Sequence, residues 1–242
     1  MAPERRFKGR RSKPYPRLDP NHPAAVGGRT IHTGMIRKAV PSEEVLKRGE
    51  HSRKLGSHFM KRPWMWMPIY SMSLEERRNC PRTCGLWHEC YGNGMARAVR
   101  WEVDDGLYKE LELQLEQLGL SFPRGFAIRL HTLGDFPDMQ YLDFWLDALR
   151  RHPALHTFGF TAHARNSPIG AAIEAESAKW DRFRIRFSSD LGVRGAIVME
   201  DPPRGRGPQG ITCPADSEHP EISCGSCALC LTTTMPIVFR RH

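Results

Sequence analysis

All seven cysteines of this chain fall into two short groups, and these side chains are the ones best suited to chemistry. The groups are Cys80-x3-Cys84-x5-Cys90 and Cys213-x10-Cys224-x2-Cys227-x2-Cys230. Three thiolates can hold a [4Fe–4S] cluster and leave one iron open, whereas four thiolates close a cluster or a zinc site completely. The division into three and four therefore predicts one reactive metal centre and one structural or electron-carrying centre.

Disulfide bonds are the first alternative, and the sequence argues against them. The count of seven is odd, so complete pairing would leave one thiol over. The first residues are basic and lack the apolar run of a signal peptide, which predicts a cytoplasmic protein with reduced thiols. In the second group, three closely spaced cysteines favour iron, because zinc prefers two separated Cys-x2-Cys pairs. Zinc is the alternative metal.

The net charge of +9 is concentrated near the N-terminus. Residues 1–62 contain 16 Lys and Arg against 5 Asp and Glu, whereas residues 63–242 contain 20 against 22. We therefore predict a basic, largely disordered arm over residues 1–62. It is either a solvated tail or a segment that contacts the phosphates of nucleic acid. Its densest cations are Arg5, Arg6, Lys8, Arg10, Arg11, Lys13 and Arg17.

Residues 63–242 have the composition of one globular α/β domain. The chain of 242 residues is 40% hydrophobic, and no run approaches the ~18 consecutive apolar residues of a transmembrane helix. No membrane partner is therefore expected. Apolar runs predict strands at 64–70, 125–130, 157–163, 182–188, 196–199 and 236–239. Helical periodicity predicts helices at 95–118, 138–151 and 167–180, and a short one at 41–56.

The alternation of strands and helices predicts parallel pairing with right-handed crossovers. Six such units can form an open doubly wound sheet or a partial (βα)6 TIM-like barrel. The candidate residues favour the barrel, because they follow strand ends that share one face in that fold. These loops are the first cysteine group, 131–136, 163–165 and 188–190.

The first cysteine group resembles the cluster-binding loop of radical S-adenosylmethionine (SAM) enzymes. In that family the three cysteines follow the first strand of a partial barrel, and an aromatic residue, here Tyr91, follows the last cysteine. The usual spacing is C-x3-C-x2-C, whereas the second gap here is five residues. The resemblance implies a [4Fe–4S] cluster that binds SAM and cleaves it to a 5′-deoxyadenosyl radical. A reductant such as flavodoxin or ferredoxin would supply the electron.

Further residues match the SAM site of that family. Gly134 and Asp135 end the second predicted strand, where radical SAM enzymes place a glycine and a carboxylate for the amino group of SAM. The resemblance implies cofactor contacts by Tyr91, Gly134, Asp135 and Ser188. Capping of the following helix is the alternative role for Asp135.

The second cysteine group resembles the cysteine runs of bacterial ferredoxins and of auxiliary clusters. That resemblance implies a second [4Fe–4S] cluster held by Cys213, Cys224, Cys227 and Cys230. Together the two groups predict a radical SAM-like iron–sulfur protein of unknown substrate. The alternative is a zinc-stabilised nucleic-acid-binding phage protein without catalytic activity.

The chain from about residue 64 onwards is also similar to a phage and prophage family known as gene product 88. The similarity comprises Cys80-Pro81, Cys90-Tyr91, the segment from Arg129 through His131 to Gly134-Asp135-Phe136, Cys213-Pro214, and a closing Phe239-x-x-His242. No activity is established for that family. The similarity therefore implies a fold and metal binding, and it does not imply a particular reaction.

Two histidines are candidates for work on a substrate. His131 and His163 end neighbouring predicted strands, where a pair of imidazoles could bind substrate or pass a proton. A hydrogen-bonded structural role is the alternative for both. No P-loop, serine elbow or dinucleotide-binding glycine pattern is present in the sequence.

Overall fold

The computed structural model describes residues 16–52, 54–215 and 221–241. The predicted arm cations from Arg5 to Lys13, and the His242 of the closing motif, lie outside the described residues.

A nine-stranded sheet forms the centre of the fold, and a separate two-stranded pair lies beside it. The strands are β1 (Ile36–Arg37), β2 (Lys47–Arg48), β3 (Ile69–Ser71), β4 (Arg100–Trp101), β5 (Phe126–Leu130), β6 (Leu155–Thr161), β7 (Phe183–Ser188), β8 (Gly195–Met199), β9 (Arg206–Gly207), β10 (Gly210–Thr212) and β11 (Ile237–Arg240). The sheet order is β2-β3-β5-β6-β7-β8-β11-β10-β9. Only the edge pairs β2–β3 and β9–β10 are antiparallel.

The parallel part of the sheet keeps its strands in chain order from β3 through β5, β6, β7 and β8 to β11. This arrangement confirms a mixed α/β fold with a mostly parallel sheet, as the alternating pattern predicts. Within the described ranges the sheet does not close, since β2 and β9 are its free edges. These residues therefore do not form a closed barrel.

In the described part of the chain, six α-helices connect or flank the strands. They are α1 (Pro23–Gly27), α2 (Asp105–Ser121), α3 (Met139–Arg151), α4 (Pro168–Lys179), α5 (Cys224–Cys227) and α6 (Leu229–Thr232). Helix α3 matches its prediction closely, because Asp138 accepts a hydrogen bond from the Tyr141 amide at 2.8 Å. None of the helices in the described ranges is long and apolar enough to cross a membrane.

Each face of the sheet buries a different layer. Ile128 and Leu130 of β5 face the layer that contains α2, α3 and α4. Ala127 of the same strand and Phe158 of β6 face the opposite layer, which contains residues of the second cysteine segment. Successive side chains of a strand point to opposite faces, so one strand serves both layers. The sheet thus places the second cysteine group on the face away from the long helices.

The described residues of the predicted N-terminal arm pack against this domain. Val45 and Phe59 are completely buried, and Leu18 packs beside Trp87. The predicted boundary at residue 62 is therefore misplaced, because apolar residues scattered through the basic segment join the core. The predicted helix over 41–56 is also wrong. Strand β2 and a 3-10 turn (Gly49–His51) occupy this stretch.

The predicted helix at 95–118 begins later than expected. Helix α2 starts at Asp105, where Asp104 accepts a hydrogen bond from the Leu107 amide at 2.9 Å. The preceding residues contain β4, which pairs in parallel with β1.

A buried ion pair connects the first cysteine loop to β4 and to the N-terminal segment. The Arg100 Nε lies 2.6 Å from Glu76 Oε2, and the two side chains are 0% and 1% exposed. The Thr30 hydroxyl donates to Glu76 Oε1 at 2.6 Å, and Arg100 also donates to the Gly92 carbonyl at 3.1 Å. Burial opposes ionisation of Glu76, but the hydrogen bonds from Arg100 and Thr30 hold its pKa below the ordinary value. Three distant segments therefore depend on one carboxylate.

Removing one partner of this pair should destabilise the fold strongly. We expect Arg100→Met to lower the free energy of unfolding by about 3–5 kcal/mol, because it leaves the Glu76 charge buried without its partner. Lys38→Met is the matched control, since Lys38 and Glu102 lie 4.0 Å apart and are 70% and 42% exposed. Its cost should stay below about 1 kcal/mol. Urea unfolding followed by circular dichroism measures both, and equal costs would contradict the account.

Candidate metal centres

The first cysteine group lies in the loop that follows β3. Cys80, Cys84 and Cys90 are free thiols, and all three are half-buried. Burial raises the pKa of Cys80 well above its ordinary value, and the charges of Asp135 and of the other two cysteines raise it further. This mutual electrostatic influence shows that the loop gathers the three sulfurs in one neighbourhood.

Polar contacts with the N-terminal segment hold this loop in place. The buried Arg77 donates to the Trp87 carbonyl at 3.0 Å and also to Asn93 Oδ1. Asn93 in turn donates to the Pro16 carbonyl at 2.7 Å. The Trp87 indole N–H donates to the Ala25 carbonyl at 3.0 Å. The residues before β1 thus cover the first cysteine loop, a contact that charge composition did not predict.

The Gly134-Asp135 turn is packed tightly beside the same loop. Gly134 has φ of 82°, and a Cβ atom there would lie 2.7 Å from the Leu74 Cβ, so only glycine fits. Asp135 is buried, and its oxygens accept hydrogen bonds from the amides of Phe136 (2.8 Å) and Ala162 (2.6 Å). Asp135 therefore ties the end of β5 to the end of β6.

The buried Asp135 acts electrostatically on two thiols of the first cysteine group. Burial raises the pKa of Asp135 to about 6, and the neighbouring His163 opposes that rise. Its charge acts on both Cys80 and Cys84. Asp135 thus lies within electrostatic reach of two thiols of the first group, although the carboxylate has little exposure to solvent.

The two candidate histidines have different surroundings. His131 is buried, its Nε2 lies 3.0 Å from the Tyr141 hydroxyl, and burial lowers its pKa to about 3. Its Nδ1 has no hydrogen-bond partner among the described residues. His163 is half-buried, and its Nε2 lies 2.8 Å from the Phe136 carbonyl oxygen. His163 is thus the more accessible imidazole, and His131 belongs to the packing of α3 against the sheet.

Tyr91 lies in a short helix of the first cysteine loop, whereas Ser188 lies at a strand end. Tyr91 begins the 3-10 helix Tyr91–Gly94 directly after Cys90, and Ser188 ends β7, where it pairs with Ala196. Ser189, which the sequence did not single out, has its hydroxyl 3.1 Å from the position that a Cβ of Gly85 would take. The turn after β7 therefore touches the first cysteine loop.

The second cysteine group surrounds one small cavity. Cys213 follows β10, and the other three cysteines lie on α5 and α6. All four line a cavity together with Phe158, Leu231 and Ile237. Gly225 sits between two of them, where a Cβ atom would meet the His58 carbonyl at 2.1 Å. The close approach of α5 to the backbone at His58 therefore requires glycine at this position.

A buried arginine fixes the segment that carries α6. Arg186 of β7 donates to the carbonyls of Leu229 (3.3 Å) and Cys230 (3.3 Å) and to that of Thr233. It also donates to the Gly195 and Met235 carbonyls, at 3.3 Å and 2.9 Å. Five carbonyls from two segments thus share one planar guanidinium, whose fork of donors suits such a set.

Positive charge lies close to the second group. Burial raises the pKa of Cys224 to about 12, and the charge of Arg129 opposes this shift. Burial likewise raises the pKa of Cys213 to about 11, and Lys54 opposes it. Arg129 also lies 4.4 Å from the Phe160 ring centroid, and Lys54 lies 5.1 Å from that of Phe239. Burial therefore favours the protonated thiols, and the two cations partly offset that effect.

Backbone amides oppose the effect of burial at both groups. At four of the seven sulfurs the amide of the second following residue lowers the thiol pKa, although burial has the larger, opposite effect. The pairs are Leu86 with Cys84, Gly92 with Cys90, Ala215 with Cys213 and Leu229 with Cys227. Hydrogen bonds to sulfur support metal-bound thiolates and tune cluster potentials.

The thiols of each group lie near one another, but they are not positioned as metal ligands. Across the parts of the chain that the structure describes, no group of three or more Cys, His, Asp or Glu side chains is arranged to hold a metal ion. Rotation about χ1 moves a sulfur while the backbone stays in place, and metal binding must also remove the thiol protons. Free thiols have the donor chemistry that a thiolate-bound metal requires.

The chain has no detectable relatives in three comparisons. It matches no protein-family model, and no curated protein or solved structure is significantly similar to it. Conclusions about function therefore come from the residues and their geometry.

Loss of the Arg186 fork should loosen the second group. We expect Arg186→Lys to lower the free energy of unfolding by about 2–4 kcal/mol, because buried carbonyls lose their donors. Arg184→Lys is the matched control on the same strand and face, since the ion-pair partner of Arg184 among the described residues is Asp181, which is 94% exposed. Its cost should be within about 0.5 kcal/mol. Denaturant unfolding measures both, and an unaffected Arg186→Lys variant would contradict the anchoring role.

Proposed function

We propose that this chain is an iron–sulfur protein with two [4Fe–4S] sites. One observation carries the proposal: seven free thiols lie in two separate places, and all four thiols of the second group line one cavity. Cys80, Cys84 and Cys90 would hold one cluster. The four cysteines around the second cavity would hold the other.

The first site would be the reactive one, and SAM is the candidate ligand. Three thiolates leave one iron of a cube without a protein ligand. With that cluster bound and reduced by a flavodoxin or ferredoxin, the site would supply the one-electron chemistry of the radical SAM enzymes it resembles. The partial-barrel architecture of those enzymes, and the relation to phage gene product 88 proteins, belong to the same proposal.

The residues at the strand ends take roles around this site. Tyr91, Gly134, Asp135 and Ser188 would border SAM, with Asp135 giving the negative charge that an ammonium group requires. His163 is the better candidate for proton transfer, because His131 is buried against Tyr141. The substrate is left open by the residues present.

Metal analysis of cysteine variants tests the two-site proposal. Anaerobically purified protein should contain about eight irons and about eight sulfides per chain. Cys84→Ala and Cys227→Ala should each retain about four irons, because each disrupts one site. Thr83→Ala, beside Cys84 and exposed, is the control and should keep the wild-type content. A colourless protein with stoichiometric zinc would contradict the proposal and favour the zinc-stabilised alternative.

SAM binding tests the finer part of the proposal. Calorimetric titration under anaerobic conditions should show SAM binding to the wild type and to Thr83→Ala. Cys84→Ala should not bind SAM, because the open iron is lost with its cluster. Full iron content without SAM binding would leave the iron–sulfur assignment standing and exclude the radical SAM assignment.

A further inference from the structure

A short hairpin between β2 and β3 presents exposed aromatic and basic side chains. The Phe59 amide donates to the Met67 carbonyl at 2.9 Å, and the Trp66 amide donates to the Phe59 carbonyl at 2.8 Å. His58 and Pro68 form the antiparallel bridge at its base. The buried Phe59 side chain fixes the hairpin to the domain, so its outer residues are held on a rigid support.

Trp66 is the most informative residue of this hairpin. It is 71% exposed, although its indole is among the largest apolar side chains. The ring stacks on His58 with centroids 4.9 Å apart and planes 28° apart. The stacked pair orders the indole and leaves a flat aromatic face in solvent. Such a face is a platform for another planar ring.

A cavity of about 220 Å³ opens beside this ring. Its lining includes Trp66, His58, Tyr70, Phe122, Arg48 and Glu50. This volume is below the roughly 300–1,000 Å³ of ligand pockets for drug-sized molecules, and it suits one heterocycle better than a whole dinucleotide.

Cations outnumber acids along β2 and the hairpin, although Glu44 and Glu50 both act on Tyr70 in the cavity lining. Residues 47–66 contain six Lys and Arg and a single acid, Glu50. Four of these cations are exposed on β2 and the hairpin. They are Lys47 and Arg48 on β2, and Lys61 and Arg62 at the hairpin tip. None of these four forms an ion pair with another described residue, unlike Arg150, Arg165 and Arg241 elsewhere on the surface. Their charges are therefore available to a polyanion.

We propose that this hairpin surface, defined by Lys47, Arg48, His58, Lys61, Arg62 and Trp66, binds single-stranded nucleic acid. One base would stack on Trp66 and enter the cavity, and neighbouring phosphates would contact the four cations. Stacking with a cationic groove is the general means of holding single strands without sequence preference. Glu50 in the cavity repels phosphate, which favours a base over a phosphate at that position.

The spread of the cations argues for a polymer over a mononucleotide. Lys61 and Arg62 lie at the hairpin tip and do not line the cavity, so one bound nucleotide would leave them unused. None of the residues of this surface is a cysteine, although Lys61 acts electrostatically on Cys227 and the Met60 amide donates to the Gly225 carbonyl at 3.0 Å. Iron content is therefore measured beside oligonucleotide binding, so that loss of the second cluster and loss of this surface are distinguished.

Fluorescence anisotropy with labelled oligo(dT) and oligo(rU) tests the proposal on the full chain. Trp66→Leu should weaken binding about 5- to 150-fold, because one base loses its stacking partner. Trp66→Phe should keep most of the affinity, since it retains an aromatic face. The salt slope should be unchanged in both variants, because neither changes charge.

The cations are tested by the salt dependence of binding. The Lys61→Gln/Arg62→Gln double variant should reduce the slope of log K against log salt by about 1.4, since each phosphate contact on a single strand contributes about 0.7. Lys109→Gln/Arg204→Gln, two exposed cations elsewhere, is the matched control and should leave the slope unchanged. Iron content and melting temperature are checked in every variant.

Three results would overturn the proposal. The first is no salt-sensitive binding of either oligonucleotide. The second is equal affinity of Trp66→Leu and the wild type, which would assign any binding to the N-terminal cations. The third is equal affinity for thymidine monophosphate and oligo(dT), which would assign the cavity to a free nucleotide.

Discussion

The parallel sheet is the constraint on which the rest of the molecule depends. Parallel strands in chain order bring the ends of β3, β5, β6 and β7 to one edge, and they bury both faces. The first cysteine loop lies at that edge, and the second cysteine segment lies on the face away from the long helices. The two groups of thiols are thus separated by the sheet geometry and not only by their distance in the chain.

Two buried arginines hold the cysteine-bearing segments onto this sheet. Arg100 binds Glu76 and loop carbonyls near the first group, whereas Arg186 binds five carbonyls around the second. The first loop is held by contacts with the N-terminal segment, whereas the second is held from inside the sheet. Cys213 is buried, and the other three thiols of the second group are half-buried like those of the first.

The sequence predicted the regular elements that have strong local signals. Helix α3 was predictable because Asp138 and a regular apolar face mark its start and its buried side. The turn at Gly134 was predictable as a turn, but its role in packing against Leu74 was not. The packing of residues 16–62 could not be predicted from the sequence, because the apolar residues of this segment lack periodicity and lie among basic residues.

The supports of the candidate sites could not be read from local sequence. Arg186 binds backbone carbonyls, which carry no side-chain signal, and Glu76 meets Arg100 across a long loop. The placement of the backbone amides that lower the thiol pKa values depends on turn conformation, and no residue type specifies that placement uniquely. The cysteine spacing did predict which thiols share a neighbourhood, including the distant Cys213.

Anomalous diffraction from crystals of the anaerobically purified protein tests the central claim most directly, since it reports the element and its position together. The account predicts two strong peaks at the iron absorption edge, one at Cys80, Cys84 and Cys90 and one in the cavity lined by Cys213, Cys224, Cys227 and Cys230. Peaks at these positions that appear only at the zinc edge would contradict it, as would disulfide density between the thiols.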